Sequence, residues 1–128
     1  MFQGIEHTAI ASPDPERLAQ WYVTHLGFIV NFRPAGSRTV FVKAADGSMI
    51  EIIEADAASA AGSPAMRAQG LRHLAILVSD FAAVYALLKS QGIRFLTEPE
   101  TGNGNTVAFF TDCDGNFLHL LHREKPLP

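Results

Sequence analysis

The chain has 128 residues, 48% of them hydrophobic, with 10 Lys and Arg against 13 Asp and Glu, for a formal charge of −3. That length suits one compact domain able to bury roughly two thirds of its unfolded surface. The charge balance carries no basic run for a nucleic-acid backbone, and the longest apolar stretch, Phe81 to Leu88, falls far short of a membrane span. The single cysteine excludes an internal disulfide, and the first ten residues do not have the order of a signal peptide. Both point to a reducing cytoplasm.

In chain order, Ile5 to Ala11 reads as a short apolar strand. A helix should follow it, with Asp14 as N-cap ahead of Pro15, and with Leu18, Trp21 and Tyr22 at helical spacing. Gly27 sits where a helix end needs a residue tolerant of positive φ. Three extended segments come next, the last two joined through Asp46-Gly47, a hairpin signal. Residues 55–69, rich in Ala, Ser and Gly, read as a linker.

The same order then recurs. Leu71 to Val78 reads as a strand, Ser79 or Asp80 as a helix cap, and Phe81, Val84, Tyr85 and Leu88 as one helical face, with Gly92 as its terminator. Asp114-Gly115 supplies a second hairpin. Gly102-Asn103-Gly104-Asn105 precedes a strand-like segment and reads as a turn rather than a phosphate loop. Arg123 to Pro128 should leave the sheet.

The chain is written twice. Gly4-Ile5-Glu6-His7-Thr8-Ala9-Ile10 matches Gly70-Leu71-Arg72-His73-Leu74-Ala75-Ile76 at an offset of 66. Asp46 to Glu54 matches Asp114 to His122 at an offset of 68. A single domain over 1–128 is expected, of class α+β, built from tandem βαβββ modules at 4–54 and 70–123. One helix covers one face of each module, so the expected assembly is a curved eight-stranded mixed sheet, helices outside, around a concave site.

The repeat places titratable side chains at matched positions: His7 and His73 in the first strands, Glu51 and His119 in the last. A lone strand histidine is more often a hydrogen-bonded structural residue than a ligand. Four positions related by internal symmetry weigh more. A carboxylate on an apolar face is costly unless a charge meets it, and a divalent cation would meet it. Nitrogen and oxygen donors in this mixture suit Zn, Ni, Co, Mn or Fe(II).

The segments Ile5-Glu6-His7-Thr8-Ala9-Ile10, Trp21-Tyr22, Leu26-Gly27-Phe28, Met49-Ile50-Glu51-Ile52 and Asp112 to Leu120 resemble the vicinal oxygen chelate superfamily. That superfamily includes glyoxalase I, methylmalonyl-CoA epimerase, extradiol dioxygenases, fosfomycin-resistance enzymes and bleomycin-binding proteins. The resemblance covers 4–123. It implies paired βαβββ modules, a divalent metal on His7, Glu51, His73 and His119, a small-molecule substrate and a homodimer. It also implies a glyoxalase-like enzyme that abstracts a proton beside a substrate carbonyl and stabilises the enolate, as a lyase, isomerase or epimerase does. The alternatives are an extradiol-type Fe(II) dioxygenase and a non-catalytic, bleomycin-resistance-type binding protein.

One position departs from the pattern: glyoxalase-like and epimerase-like members usually carry glutamate where this chain has His119. Three imidazoles and one carboxylate leave a divalent site more positive, which favours a bound anionic oxygen. The same change removes a carboxylate base, so Glu51 or His119 would be the catalytic group that takes the proton.

The remaining polar residues read more plainly. Cys113 lies between two aspartates that disfavour its thiolate. His122 is expected on the solvent side of its strand, and His25 at the first helix's C-terminus. Arg33 and Arg38 are expected to be solvated or to bind a substrate anion. Trp21, Phe41 and Phe109 are expected in the core or in a pocket wall.

Overall fold

A computed structural model describes residues 1–56 and 65–128; the central part of the expected linker, 57–64, lies outside the described residues. The chain divides into two units, 1–62 and 63–128, each a βαβββ module.

In the first module, strand β1 (His7–Ser12) leads into helix α1 (Pro15–Leu26), and strands β2 (Ile29–Phe32), β3 (Val40–Lys43) and β4 (Met49–Glu54) follow. In the second, β5 (His73–Leu77) leads into α2 (Phe81–Ser90), then β6 (Glu100–Gly102), β7 (Asn105–Thr111) and β8 (Phe117–Arg123). The eight expected strands are all present. They hydrogen-bond as two four-stranded mixed sheets, ordered β1-β4-β3-β2 and β5-β8-β7-β6. In each module the first strand runs parallel to the last, and the remaining pairings are antiparallel.

Both first strands start two residues later than expected. His7 pairs with Met49, the first residue of β4, and His73 with Phe117, the first of β8. Upstream of these pairs there is no partner strand, so Ile5 and Leu71 stand exposed. Both histidines therefore occupy the first rung of a parallel ladder.

Each helix is capped as its sequence requires. The Asp14 carboxylate accepts from the Arg17 backbone N–H at 3.1 Å, with Pro15 occupying the first helical position. Gly27 closes α1 in the left-handed region, at φ 70°. Asp80, not Ser79, caps α2: it stands directly before the first helical residue, Phe81, and its carboxylate accepts from the Ala83 N–H at 3.0 Å. Gln91 is the C-terminal cap of α2, and Gly92 takes the positive φ one residue beyond it.

The first core lies where α1 meets one face of its sheet. Leu18, Ala19 and Tyr22 bury against Val40, Val42, Ile50 and Ile52. In the second module Leu88, Ala108, Phe110, Leu118 and Leu120 are buried. Alternation along the strands sends the intervening residues to the other face. That face carries His7, Phe41 and Glu51 in one module and His73, Phe109 and His119 in the other.

Among the described residues, no helix is long and apolar enough to cross a membrane.

Candidate functional site

Register fixes the geometry of the site in each module. Glu51 lies directly opposite Ala9 on β1 and Phe41 on β3, and His119 lies opposite Ala75 on β5 and Phe109 on β7. The small alanines leave the space beside Glu51 and His119 open. His7 and His73 stand one same-face rung away and lean across it.

In the first module, His7 Nε2 lies 3.1 Å from Glu51 Oε2. The other ring nitrogen, Nδ1, meets Glu6 Oε2. The Phe41 ring stands edge-on to His7 at 5.6 Å, and Phe32 lies against Phe41 at 5.8 Å. A bulge between Val30 and Phe32 puts Phe32 opposite Phe41, on the face that carries His7. The Glu6 hydrogen bond raises the His7 pKa above its ordinary value; desolvation opposes this, and the charges of Glu6 and Glu51 add to it.

In the second module, the His73 and His119 rings lie 4.5 Å apart. Phe109 stands edge-on to His73 at 5.6 Å and tilts against His119 at 4.8 Å. Both His119 nitrogens are buried without a hydrogen-bond partner among the described residues. Burial lowers the His119 pKa below its ordinary value, and the nearby charges of His73 and Arg123 act the same way. The shift favours the neutral imidazole, whose lone pair meets no donor among the described residues. A buried polar group left in that state is costly, and a metal ion is a partner that takes an imidazole lone pair. The donors of each module suit such an ion: neutral imidazole is the ligating form in the second, and the first pairs an imidazole with a carboxylate.

The structure therefore brings the expected site residues together in pairs, His7 with Glu51 and His73 with His119, one pair in each module. Among the described residues, no group of three or more His, Cys, Asp or Glu side chains is gathered to hold an ion.

The family model for the Glyoxalase/Bleomycin resistance protein/Dioxygenase superfamily matches residues 4–120. The chain belongs to this superfamily. A glyoxalase family protein from Enterococcus faecalis is 32% identical, with 94% of this chain and 98% of that one covered and a TM-score of 0.73. A domain of the same superfamily from Frankia sp. EAN1pec is 21% identical, covering 99% and 96%, at a TM-score of 0.79. An antibiotic binding protein from Streptomyces sp. CB03234 is 20% identical, covering 96% and 98%, at 0.77. A lactoylglutathione lyase from Agrobacterium tumefaciens and an oxidase share the fold at lower identity than the Enterococcus protein. Among curated proteins none matches the chain. Superfamily membership thus covers lyases, oxygen chemistry and plain binding, and the choice among them belongs to the site itself.

Several residues take places other than those expected from sequence. Arg33 is exposed to solvent but engaged, and so not free for an anion: its Nε donates to Glu16 Oε1 at 2.7 Å and its Nη2 to Glu16 Oε2 at 3.1 Å. Arg38 is likewise engaged, donating to Glu54 at 2.7 Å. In both cases the chain turns the guanidinium back onto a carboxylate of the same module, which satisfies it locally. His122 is half-buried rather than solvent-facing, with Nδ1 3.1 Å from the Val78 carbonyl oxygen. The parallel β5–β8 ladder brings Val78 back alongside β8, where it meets that ring.

Of the two places the sequence left open for Phe41 and Phe109, core or pocket wall, the structure gives the wall of the two half-sites; the rings are separated by 68 residues, the same spacing as Glu51 and His119. One feature escaped the sequence reading: Glu6, in contact with His7, carried no signal, because its counterpart in the repeat is Arg72.

Proposed function

We propose that this superfamily member is a metal-dependent enzyme acting on a small carbonyl-containing substrate by proton abstraction and enolate stabilisation. The ion is held by His7 and Glu51 of a first module together with His73 and His119 of a second, drawn from one chain or from two copies. The observation that carries the reading is His119, a buried neutral imidazole with both nitrogens unpartnered, in the strand position that matches Glu51. A divalent ion bound there would act as a Lewis acid on the substrate's carbonyl oxygen.

The chain's own residues supply the rest. Glu51 is a half-exposed carboxylate within hydrogen-bond reach of His7, so it can accept a proton and pass it on. Phe41 and Phe109 exclude water from one side of each pair, strengthening the electrostatics next to them. A histidine in place of a second carboxylate makes the site more positive, which supports oxyanion stabilisation, and leaves Glu51 as the carboxylate that moves the proton.

Elemental analysis after loading with Ni, Zn, Mn or Fe(II) and desalting tests the reading. About one ion per chain is expected, lost on His119→Ala and on His7→Ala. Loaded protein should then exchange solvent deuterium into the carbon beside the carbonyl of a small ketone or aldehyde, and Glu51→Gln should slow the exchange. No retained ion in the wild-type chain would make the superfamily member a binding protein. Oxygen consumption that requires ferrous iron would make it a dioxygenase.

A further inference from the structure

The repeat reverses charge at one position next to the site. Residues 4–10 and 70–76 match closely, but Glu6 of the first copy is Arg72 in the second. The two side chains behave differently. Glu6 reaches its neighbour's ring, with Oε2 on His7 Nδ1. Arg72 turns the other way and donates to the Gly70 and Ala65 carbonyl oxygens at 3.3 and 3.2 Å. Among the described residues, His73 has ring contacts with Phe109 and His119 and no hydrogen bond.

His7 is thus flanked by two carboxylates, one on each ring nitrogen. A neutral imidazole has a single N–H, and the two carboxylates compete for it. If Nδ1 carries the proton, Nε2 keeps its lone pair on the side of Glu51. If Nε2 carries it, the lone pair turns away from Glu51. Both hydrogen bonds are charge-assisted, and Glu6 makes the closer contact, which favours the proton on Nδ1. The position just before β1 makes the contact available: Glu6 has no ladder partner, so its side chain is free to fold back along the His7 ring.

We propose that Glu6 is a positioning residue that holds His7 in the Nδ1–H tautomer, presenting the Nε2 lone pair to the space it shares with Glu51. The second module has no counterpart, so the two first-strand histidines are unequal donors: His7 is oriented in advance and His73 is not. Outer hydrogen bonds of this type both orient a ligating imidazole and raise its basicity. The inference rests on the metal reading for its purpose, but the tautomer is a property of the metal-free chain.

The test is long-range 1H–15N NMR of the protein stripped of metal, at a pH where the 15N shifts show a neutral His7 ring, with zinc affinity measured beside it by competition against a chromophoric chelator. The wild-type His7 signals should show Nδ1–H. Glu6→Ala should move them to Nε2–H, donating to Glu51, while Glu6→Gln, which keeps an acceptor without the charge, should fall between. Zinc affinity should drop about 10- to 100-fold in Glu6→Ala and stay unchanged in Arg72→Ala. An Nε2–H tautomer in the wild type, or a His7 tautomer indifferent to Glu6→Ala, overturns the proposal. If the wild-type chain retains no zinc, the metal reading fails while the tautomer result still decides the role of Glu6.

Discussion

His73 and His119 stand 4.5 Å apart, ring centre to ring centre, on neighbouring parallel strands, yet among the described residues neither nitrogen of His119 has a hydrogen-bond partner. The ring packs against His73 and Phe109, but its two buried nitrogens contribute no hydrogen bond. Replacing it with an apolar ring of similar shape, His119→Phe, should raise the stability of the metal-free protein by about 1 kcal/mol, because the unsatisfied polar group is removed. The same variant should lose retained metal. Urea unfolding midpoints and elemental analysis on one preparation check both. A destabilised His119→Phe would mean that the imidazole has a partner in solution.

Phe109 and Phe110 are neighbours on β7 that face opposite ways. Phe110 is fully buried, whereas Phe109 is half-exposed against the two histidines. Phe110→Ala should cost about 3–5 kcal/mol, as for a large core ring. Phe109→Ala should cost clearly less and show its main effect in metal affinity or turnover. Equal losses of stability would remove Phe109 from the site and place it in the core.

The Asp112 carboxylate organises the turn before β8. Its Oδ1 accepts from the backbone N–H groups of Asp114 and Asn116 at 3.0 Å each, and its Oδ2 accepts from the Asn116 side-chain amide at 2.8 Å. Asp112 is 4% exposed. Asp112→Ala leaves those donors unmet and should cost about 2–3 kcal/mol, with Asp112→Asn recovering part of it. Denaturant titration of the three proteins tests the ranking. A turn that tolerates alanine without loss would show that water replaces the carboxylate there.

The Arg33 guanidinium holds the Glu16 carboxyl below the usual carboxylate range, with desolvation in partial opposition. A carboxyl whose folded-state pKa is depressed contributes stability above its unfolded pKa and loses it as pH falls through the folded one. Both side chains are more than half exposed, so solvent screens the pair and it should couple only weakly at neutral pH. A double-mutant cycle of Glu16→Gln and Arg33→Met should give that coupling at pH 7 and none in acid below the folded pKa. Coupling that persists in acid would show that packing, not charge, joins the two residues. Since Arg33 is engaged here, Arg33→Met should also leave substrate affinity unchanged.

Much of this architecture was legible in the chain. The internal repeat located both modules, Asp14 and Pro15 started α1, Gly27 ended it, and Asp46-Gly47 and Asp114-Gly115 marked the hairpins. These are local signals: capping, positive φ and strand alternation act over a few residues, so sequence alone determines them. The same alternation set His7, Glu51, His73 and His119 on the faces turned away from the helices. Tertiary structure decided what each of those side chains meets. Parallel pairing of a first strand with a last strand brings His7 to Glu51 and His73 to His119 across more than 40 residues of chain. It also satisfied Arg33 and Arg38 with carboxylates and gave His122 a carbonyl partner, while leaving His119 with none. Hydrogen bonds and burial are relations between distant segments, and a residue's own neighbours in sequence do not state them.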